Sequence, residues 1–188
     1  MANTINATSG VGIVSTADNT NELILQTNGT NALTIDASQI VSFANQLSLG
    51  VSGTTMQLKL SGAAETVTIA ATAATGTVNF DVSTQSILYY TSNASANWTL
   101  NIRGSSSVTL NSIMATGQSV TVTHLVTQGG TAYYNSAVTV DGTSVTPKWS
   151  GGSAPSAGNT NSVDVYTYTL IKTGSGSFTV FASQTRYA

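Results

Sequence analysis

The segment from residue 163 to residue 182 reads VDVYTYTLIKTGSGSFTVFA and decides how the C-terminal part of the chain folds. Its two ends, residues 163–172 and 178–182, are rich in Val, Thr, Tyr and Phe, which are residue types that favour strands. Between them lies Thr173-Gly174-Ser175-Gly176, and a short glycine-containing loop between two such runs is typical of a β-hairpin. This segment therefore predicts two antiparallel strands joined by a tight turn.

Similar runs precede this hairpin at short intervals, and only residues 110–116 suggest a short helical turn. Residues 87–90 are apolar on both faces, which is typical of a central strand. Many short strands without intervening helices indicate a β-sandwich or a jelly roll. We predict that residues 62–188 form one all-β domain, a β-sandwich or jelly-roll-like fold. Strand alternation places five apolar side chains in its core: Val78, Phe80, Trp98, Leu100 and Ile102.

The first 61 residues follow a different pattern, in which pairs of apolar residues alternate with turn clusters. The pairs are Leu23 with Leu25, Leu33 with Ile35, and Val41 with Phe43. Strand side chains alternate between faces, so each tiny strand offers only about two inward side chains. One such chain cannot close a core, and units of this kind must stack on neighbours. We predict an N-terminal segment, residues 1–61, that trimerises with other copies of the chain; a disordered polar tail is the alternative.

A junction near residues 49–54 separates this segment from the domain. Just before the predicted domain, Met56, Leu58 and Leu60 alternate with Gln57 and Lys59, a pattern that predicts one more half-buried strand.

The composition excludes several classes of function. Charged residues make up 6% of the chain, against roughly a quarter in ordinary globular proteins, while Thr, Ser and Asn account for 72 of the 188 residues. A net charge of −2 with five scattered basic residues gives no footprint for nucleic acid. No apolar stretch approaches the ~20 residues of a membrane helix, and no secretory signal is recognisable. With no cysteine, disulfides and thiolate metal sites are excluded.

The titratable residues do not form a recognisable active site. His124, the only histidine, lies on the same face of its predicted strand as Val122 and Val126. This position predicts a hydrogen-bonded histidine in a core or an interface. A catalytic triad would need a motif around a nucleophile, and none is present. Several of the acids, Asp18, Asp36 and Asp141, occur in turn contexts, and Asp141-Gly142 is a hairpin dipeptide. We therefore predict no catalytic residue, no cofactor and no metal site.

Aromatic residues are the remaining candidates for ligand contact. Trp149 stands in a Gly- and Pro-rich loop, residues 148–158, and is the best exposed candidate. Tyr133 and Tyr134 complete the predicted surface contact, which could form part of a sugar-binding groove. The competing interpretation is that these rings pack in the core, because paired tyrosines on a strand place one ring on each face.

Two parts of the chain resemble phage proteins. Residues 11–43, which end in ELILQTNGTNALTIDASQIVSF, resemble repeats in tail-fibre and other appendage proteins of tailed phages. Residues 86–188 resemble a domain of structural proteins of marine cyanophages, through ILYYTSNASANWTLNIRG, GQSVTVTHLVTQGGTAYYN and KWSGGSAPSAGNTNSVDVYTYTLIKTGSGSFTVFASQ. The resemblance implies a trimeric virion component and carries over no catalytic or metal-binding residues.

From these observations we expect a non-enzymatic virion structural protein that forms a homotrimeric, fibre-like surface appendage. It would be made in the host cytoplasm and bound to other virion proteins, with a host surface glycan as a further candidate partner. A capsid decoration protein that stabilises the shell is the alternative. A bacterial adhesin or lectin is a more distant one, disfavoured by the lack of an export signal.

Overall fold

A computed structural model of the chain describes residues 23–27, 29–43, 62 and 64–188. The chain divides into two compact units, Met1–Ser61 and Gly62–Ala188. The described residues form thirteen strands, one short α-helix and one 3₁₀ turn, so the all-β class is confirmed. The predicted strand at residues 56–60 lies outside the described residues.

The N-terminal unit contains a small antiparallel sheet in chain order. Its strands are β1 (Leu23–Thr27), β2 (Thr30–Ile35) and β3 (Val41–Phe43). The β2–β3 turn is held by Asp36, whose carboxylate accepts hydrogen bonds from the backbone N–H groups of Ser38 (2.8 Å) and Ile40 (3.0 Å). The short apolar pairs therefore form strands, and the polar cluster at residues 36–39 forms a turn, as predicted.

Two sheets build the C-terminal unit. The six-stranded sheet has the order β11-β13-β12-β8-β6-β4, and the four-stranded sheet has the order β10-β9-β7-β5. The strands are β4 (Val67–Ala73), β5 (Gly76–Asp81), β6 (Ile87–Ser92), β7 (Trp98–Arg103), β8 (Ser119–Thr127), β9 (Asn135–Val140), β10 (Thr143–Val145), β11 (Lys148–Trp149), β12 (Val163–Gly174) and β13 (Ser177–Tyr187). The helix α1 (Leu110–Ile113) and a 3₁₀ turn (Ser150–Gly152) complete the unit.

Strands β4 to β9 alternate between the two sheets. Because each connection crosses to the opposite sheet and the next one returns, neighbours within a sheet run in the same direction. Thus β4 pairs with β6 and β6 with β8 in parallel, and β5, β7 and β9 do the same in the other sheet. A jelly roll consists of antiparallel strands, so the jelly-roll part of the prediction is not confirmed. The predicted hairpin is present as the antiparallel pair β12–β13, with Gly176 at φ 64° in its loop.

One hydrophobic core lies between the two sheets, as expected for sheets packed face to face. The five core residues predicted from strand parity, Val78, Phe80, Trp98, Leu100 and Ile102, are all at most 2% exposed. Leu88, Val122 and Leu170 contribute from the six-stranded sheet, together with the fully buried rings of Tyr166 and Tyr168.

Charged side chains hold both ends of the four-residue helix α1. At its start the Asp141 carboxylate accepts hydrogen bonds from the backbone N–H groups of Leu110 (2.7 Å) and Asn111 (2.9 Å). At its end the Lys172 ammonium group donates to the carbonyl oxygens of Asn111 (2.5 Å) and Met114 (2.8 Å). Asp141 also starts the β9–β10 turn, where Asp141 and Gly142 both have positive φ, as a type I′ turn requires.

Candidate functional site

His124 lies in the core, and its surroundings are aromatic. The side chain is 0% exposed, and its ring centroid lies 5.6 Å from Tyr90 and 5.7 Å from Trp98 in edge-to-face arrangements. No protein group among the described residues lies within hydrogen-bonding distance of either ring nitrogen. Burial lowers the pKa of His124 to about 3, so the imidazole is neutral. The core position was predicted correctly, whereas the expected hydrogen bonds are absent from the described part of the chain.

A buried carboxylate joins two loops at one end of the sandwich. Asp164 is 0% exposed and accepts hydrogen bonds from the Asn159 backbone N–H (3.0 Å), the Asn159 side-chain amide (2.6 Å) and the Gln128 side-chain amide (3.1 Å). Gln128 also exchanges two hydrogen bonds with the backbone of Tyr133. Gly158 fits between these groups because a Cβ there would overlap the Tyr133 carbonyl oxygen. The cluster therefore connects the loop that follows β8, which contains Gln128, to the loop that precedes β12, which contains Asn159.

Two stacked tyrosines continue this polar cluster into the core. The hydroxyl of Tyr168 donates to Asn135 Oδ1 (2.9 Å), and the Asn135 backbone N–H donates to the hydroxyl of Tyr166 (3.4 Å). Burial raises the pKa of both phenols, and the nearby Asp164 raises that of Tyr166 further, so both stay neutral. Sequence patterns alone did not predict this cluster. The one sequence feature that points to it is that Asp164 lies on the same face of its strand as Tyr166 and Tyr168.

The three predicted contact aromatics have different surroundings in the structure. Trp149 lies in β11, which pairs in parallel with β13, and its half-buried ring meets Tyr168 edge-to-face at 6.0 Å. It lines a hollow of about 260 Å³ between the β9–β10 hairpin and residues 154–155, and neither Tyr133 nor Tyr134 lines that hollow. Tyr133 packs against the core. The backbone N–H of Tyr134 donates to Asn97 Oδ1 (3.1 Å).

The outer face of the four-stranded sheet is polar, and its groups pair with one another. Asn101 donates to Asn79 Oδ1 (2.8 Å) and accepts from the hydroxyl of Thr139 (2.9 Å). Beside them Arg103 forms an ion pair with Asp81 at 2.6 Å. This face is therefore satisfied internally and well suited to contact with water.

The outer face of the six-stranded sheet is apolar at one end. Strand register places Ile69, Tyr89, Leu125 and Val165 side by side across four strands. Three of these four residues line a shallow depression of about 550 Å³, and its lining residues come from five strands: Val67, Ile87, Tyr89, Thr123, Leu125, Val163, Val165 and Tyr187. Ile69 is 68% exposed and Tyr187 is 60% exposed. Sequence reasoning did not identify this surface, although residues 87–90 and 124–126 carry apolar side chains on both faces of their strands.

The small N-terminal sheet also has one apolar face. Its pairing register aligns Leu23 with Ile35 and Val41 in one row, and Leu25 with Leu33 and Phe43 in the next. Leu25 is 52% exposed and Val41 is 50% exposed. Six apolar side chains therefore share one face of a three-stranded sheet, and those at its two edges are open to solvent.

The described residues contain neither a candidate metal-binding cluster nor a membrane-spanning helix. Across residues 23–43 and 62–188, apart from the few left undescribed, no cluster of three or more His, Cys, Asp or Glu side chains could hold a metal ion. Within the same part of the chain, no helix is long and apolar enough to cross a bilayer. Comparison with known proteins gives no match: no family model fits the sequence, and no curated protein or solved structure is significantly similar to it.

Proposed function

We propose that this protein is a non-enzymatic structural protein of a tailed-phage virion that forms a homotrimeric, fibre-like surface appendage. The observation that carries this proposal is the apolar face of the N-terminal sheet, formed by six side chains in two rows across three strands. The hydrophobic effect favours removal of such an apolar face from water. Other copies of the same chain would cover it.

The threefold symmetry of the assembly is supported by the resemblance of residues 11–43 to repeats of phage appendage proteins. Around a threefold axis, three such faces would bury one another's edge residues, such as Leu25, Val41 and Phe43, which are each more than 40% exposed in the single chain. Burial of apolar area stabilises an assembly by roughly 25 cal/mol per Å². The assembly and the folding of this segment would therefore be coupled.

In this proposal the N-terminal segment attaches to other virion proteins and the C-terminal domain points outward. The particle would be assembled in the host cytoplasm. Many copies of the outer domain would make weak contacts with a host surface, such as a glycan, and these contacts would add through multivalency. The low charge content suits a salty medium, because salt then has few interactions to screen.

Analytical ultracentrifugation of the full chain tests the trimer. We expect a species of three times the 19.2 kDa chain mass, with stability against urea that rises with protein concentration. A folded monomer at all concentrations, with residues 23–43 protected from hydrogen exchange, would overturn the proposal.

A further inference from the structure

We propose that the outer face of the six-stranded sheet docks against the same face of the neighbouring copies of this chain, so that three such faces meet at the axis of the trimer. This inference rests on the trimer proposed above. It concerns a different surface, formed by β4, β6, β8, β12 and β13 of the C-terminal domain.

The apolar end of this face is continuous across strands. Ile69, Tyr89, Leu125 and Val165 lie in one row, and Val67 with Ile87 lies in the adjacent row. Beyond them the face carries small hydroxyl side chains, including Thr121 and Thr169. The hydroxyl groups of these two residues form a hydrogen bond of 2.9 Å. The hydroxyls of this pair therefore have a partner within the same face and can be covered at little cost.

Charge decides between possible occupants. Among the described strand side chains that point to this side of the sheet, only Lys148 at the β11 edge is charged, and its ammonium group lies over the ring of Phe181. Nucleic acid and anionic lipid surfaces are recognised through clusters of Lys and Arg, which this face does not carry. A protein surface that is also apolar and rich in hydroxyl groups matches this face best. The same face of another copy of the chain is such a surface.

The size of the face also fits contact between copies. Six strands spaced about 4.8 Å apart span about 24 Å, and the part of β12 from Val163 to Ile171 extends about 26 Å, which gives about 600 Å². A standard stable interface covers roughly 800 Å² on each partner. The face alone is therefore slightly small, as expected for a contact that works together with a second one between N-terminal segments.

The opposite face of the domain has the character of a solvent-facing surface. On the four-stranded sheet, Asn101 forms hydrogen bonds with both Asn79 and Thr139, and Asp81 pairs with Arg103. The domain therefore has one polar and one apolar outer face. In the trimer, the four-stranded sheet would point outward.

Single-cysteine labelling tests the docking face, because the chain contains no cysteine. The matched variants of the full chain are Thr123→Cys on the proposed interface and Thr99→Cys on the polar face, both at half-buried strand positions. Maleimide labelling rates are normalised to those of the urea-unfolded chain and measured on the sedimenting trimer. We expect the normalised rate at position 123 to be at least tenfold lower than at position 99.

Equal normalised rates in a confirmed trimer would overturn the docking inference and leave the trimer intact, whereas a chain that is monomeric throughout would overturn both. Protection of position 123 that arises only on whole particles would assign the face to another virion protein and would also overturn the inference.

A charge substitution provides a second measurement. Val165→Lys places a cation in the middle of the face, and Thr77→Lys places one on the polar sheet as a control. We expect at least a tenfold rise in the trimer dissociation constant for Val165→Lys and an unchanged constant for Thr77→Lys, with both variants retaining the far-ultraviolet circular dichroism of the parent. Unchanged association of a folded Val165→Lys variant would overturn the inference.

Discussion

At the scale of single residues, the most unusual feature is a neutral histidine inside an apolar core. His124 is fully buried between the rings of Tyr90, Trp98 and Tyr166, and burial lowers its pKa to about 3. The charged imidazolium would lose its hydration there and gain no partner in return. Folding therefore favours the neutral ring.

This requirement predicts a pH-dependent stability. The ordinary pKa of 6.5 applies in the unfolded chain and about 3 applies in the folded one, so the unfolded chain binds more protons between these values. The contribution is fully present above pH 6.5 and is lost as the pH falls towards 3, by about 5 kcal/mol in total. Urea unfolding of the parent and of His124→Phe should show a smaller loss in the variant across this interval. Parallel pH profiles would show that His124 is not the group responsible.

Trp98 tests the assignment of the core. Its side chain is 1% exposed and contacts His124 and Tyr166 edge-to-face. Trp98→Ala should lower the free energy of unfolding by about 3–5 kcal/mol, as truncation of large core aromatics does. The half-buried Trp149 is the matched control, and Trp149→Ala should cost clearly less. Equal costs in thermal or urea unfolding would mean that the burial assigned to the two tryptophans is wrong.

At the scale of secondary structure, local patterns predicted the elements better than their arrangement. The β12–β13 hairpin, the short helix near residue 110 and the parity of β5 and β7 all follow from turn chemistry and alternation, which are local properties of the sequence. The parallel pairing of β4, β6 and β8 depends on connections that cross between two sheets. Such crossings depend on tertiary packing, and no short motif encodes them. The jelly-roll alternative arose because spacing alone does not distinguish these topologies.

For the candidate site as well, the sequence predicted the features that depend on local patterns better than those that depend on tertiary packing. The core position of His124 followed from its parity with Val122 and Val126. Exposure of Trp149 was inferred from its Gly- and Pro-rich loop, whereas the structure places it in β11 against Tyr168. A strand of two residues is too short to show the alternation of apolar and polar residues by which a strand is recognised in a sequence. The polar cluster around Asp164 was missed because its partners, Gln128 and Asn159, come from separate loops.

Helix α1 offers a test of an element held by side chains from elsewhere. A four-residue helix is not stable alone, and Lys172 supplies donors to two carbonyl groups at its end. Lys172→Met should lower the free energy of unfolding by about 1–3 kcal/mol, because buried carbonyls lose their partners. The control Lys148→Met removes a more exposed cation and should cost less than about 1 kcal/mol. Hydrogen exchange at residues 110–116 should speed up only in Lys172→Met, and unchanged exchange there would contradict the role assigned to Lys172.

At the scale of the whole molecule, the described residues form two exposed apolar surfaces. One is the apolar face of the N-terminal sheet, and the other is the outer face of the six-stranded sheet. Exposed contiguous apolar patches of this kind mark interaction sites in soluble proteins. Among the described residues, the apolar parts of both surfaces carry no charged side chain, and this supports the proposal that other copies of the chain cover them.

The N-terminal face is tested by a charge in its centre. Leu25→Lys should dissociate the trimer, because the ammonium group would be buried among apolar side chains. The melting temperature of the C-terminal domain should stay within a few degrees of the parent. Ser42→Lys is the matched control, since strand register places Ser42 beside Thr34 on the opposite face of the same sheet. A Leu25→Lys variant that still sediments as a trimer would show that this face does not hold the copies together.

The most direct test of the central claim is an electron cryomicroscopy map of purified phage particles with this chain built into it. The proposal predicts threefold-symmetric density for three copies, with residues 1–61 touching other virion proteins and the C-terminal domains projecting into solvent. A C-terminal domain that lies flat across joints between capsid subunits, with the N-terminal segment only clipping a neighbour, would contradict the appendage and establish the decoration protein instead. Absence of the chain from the particle would contradict both.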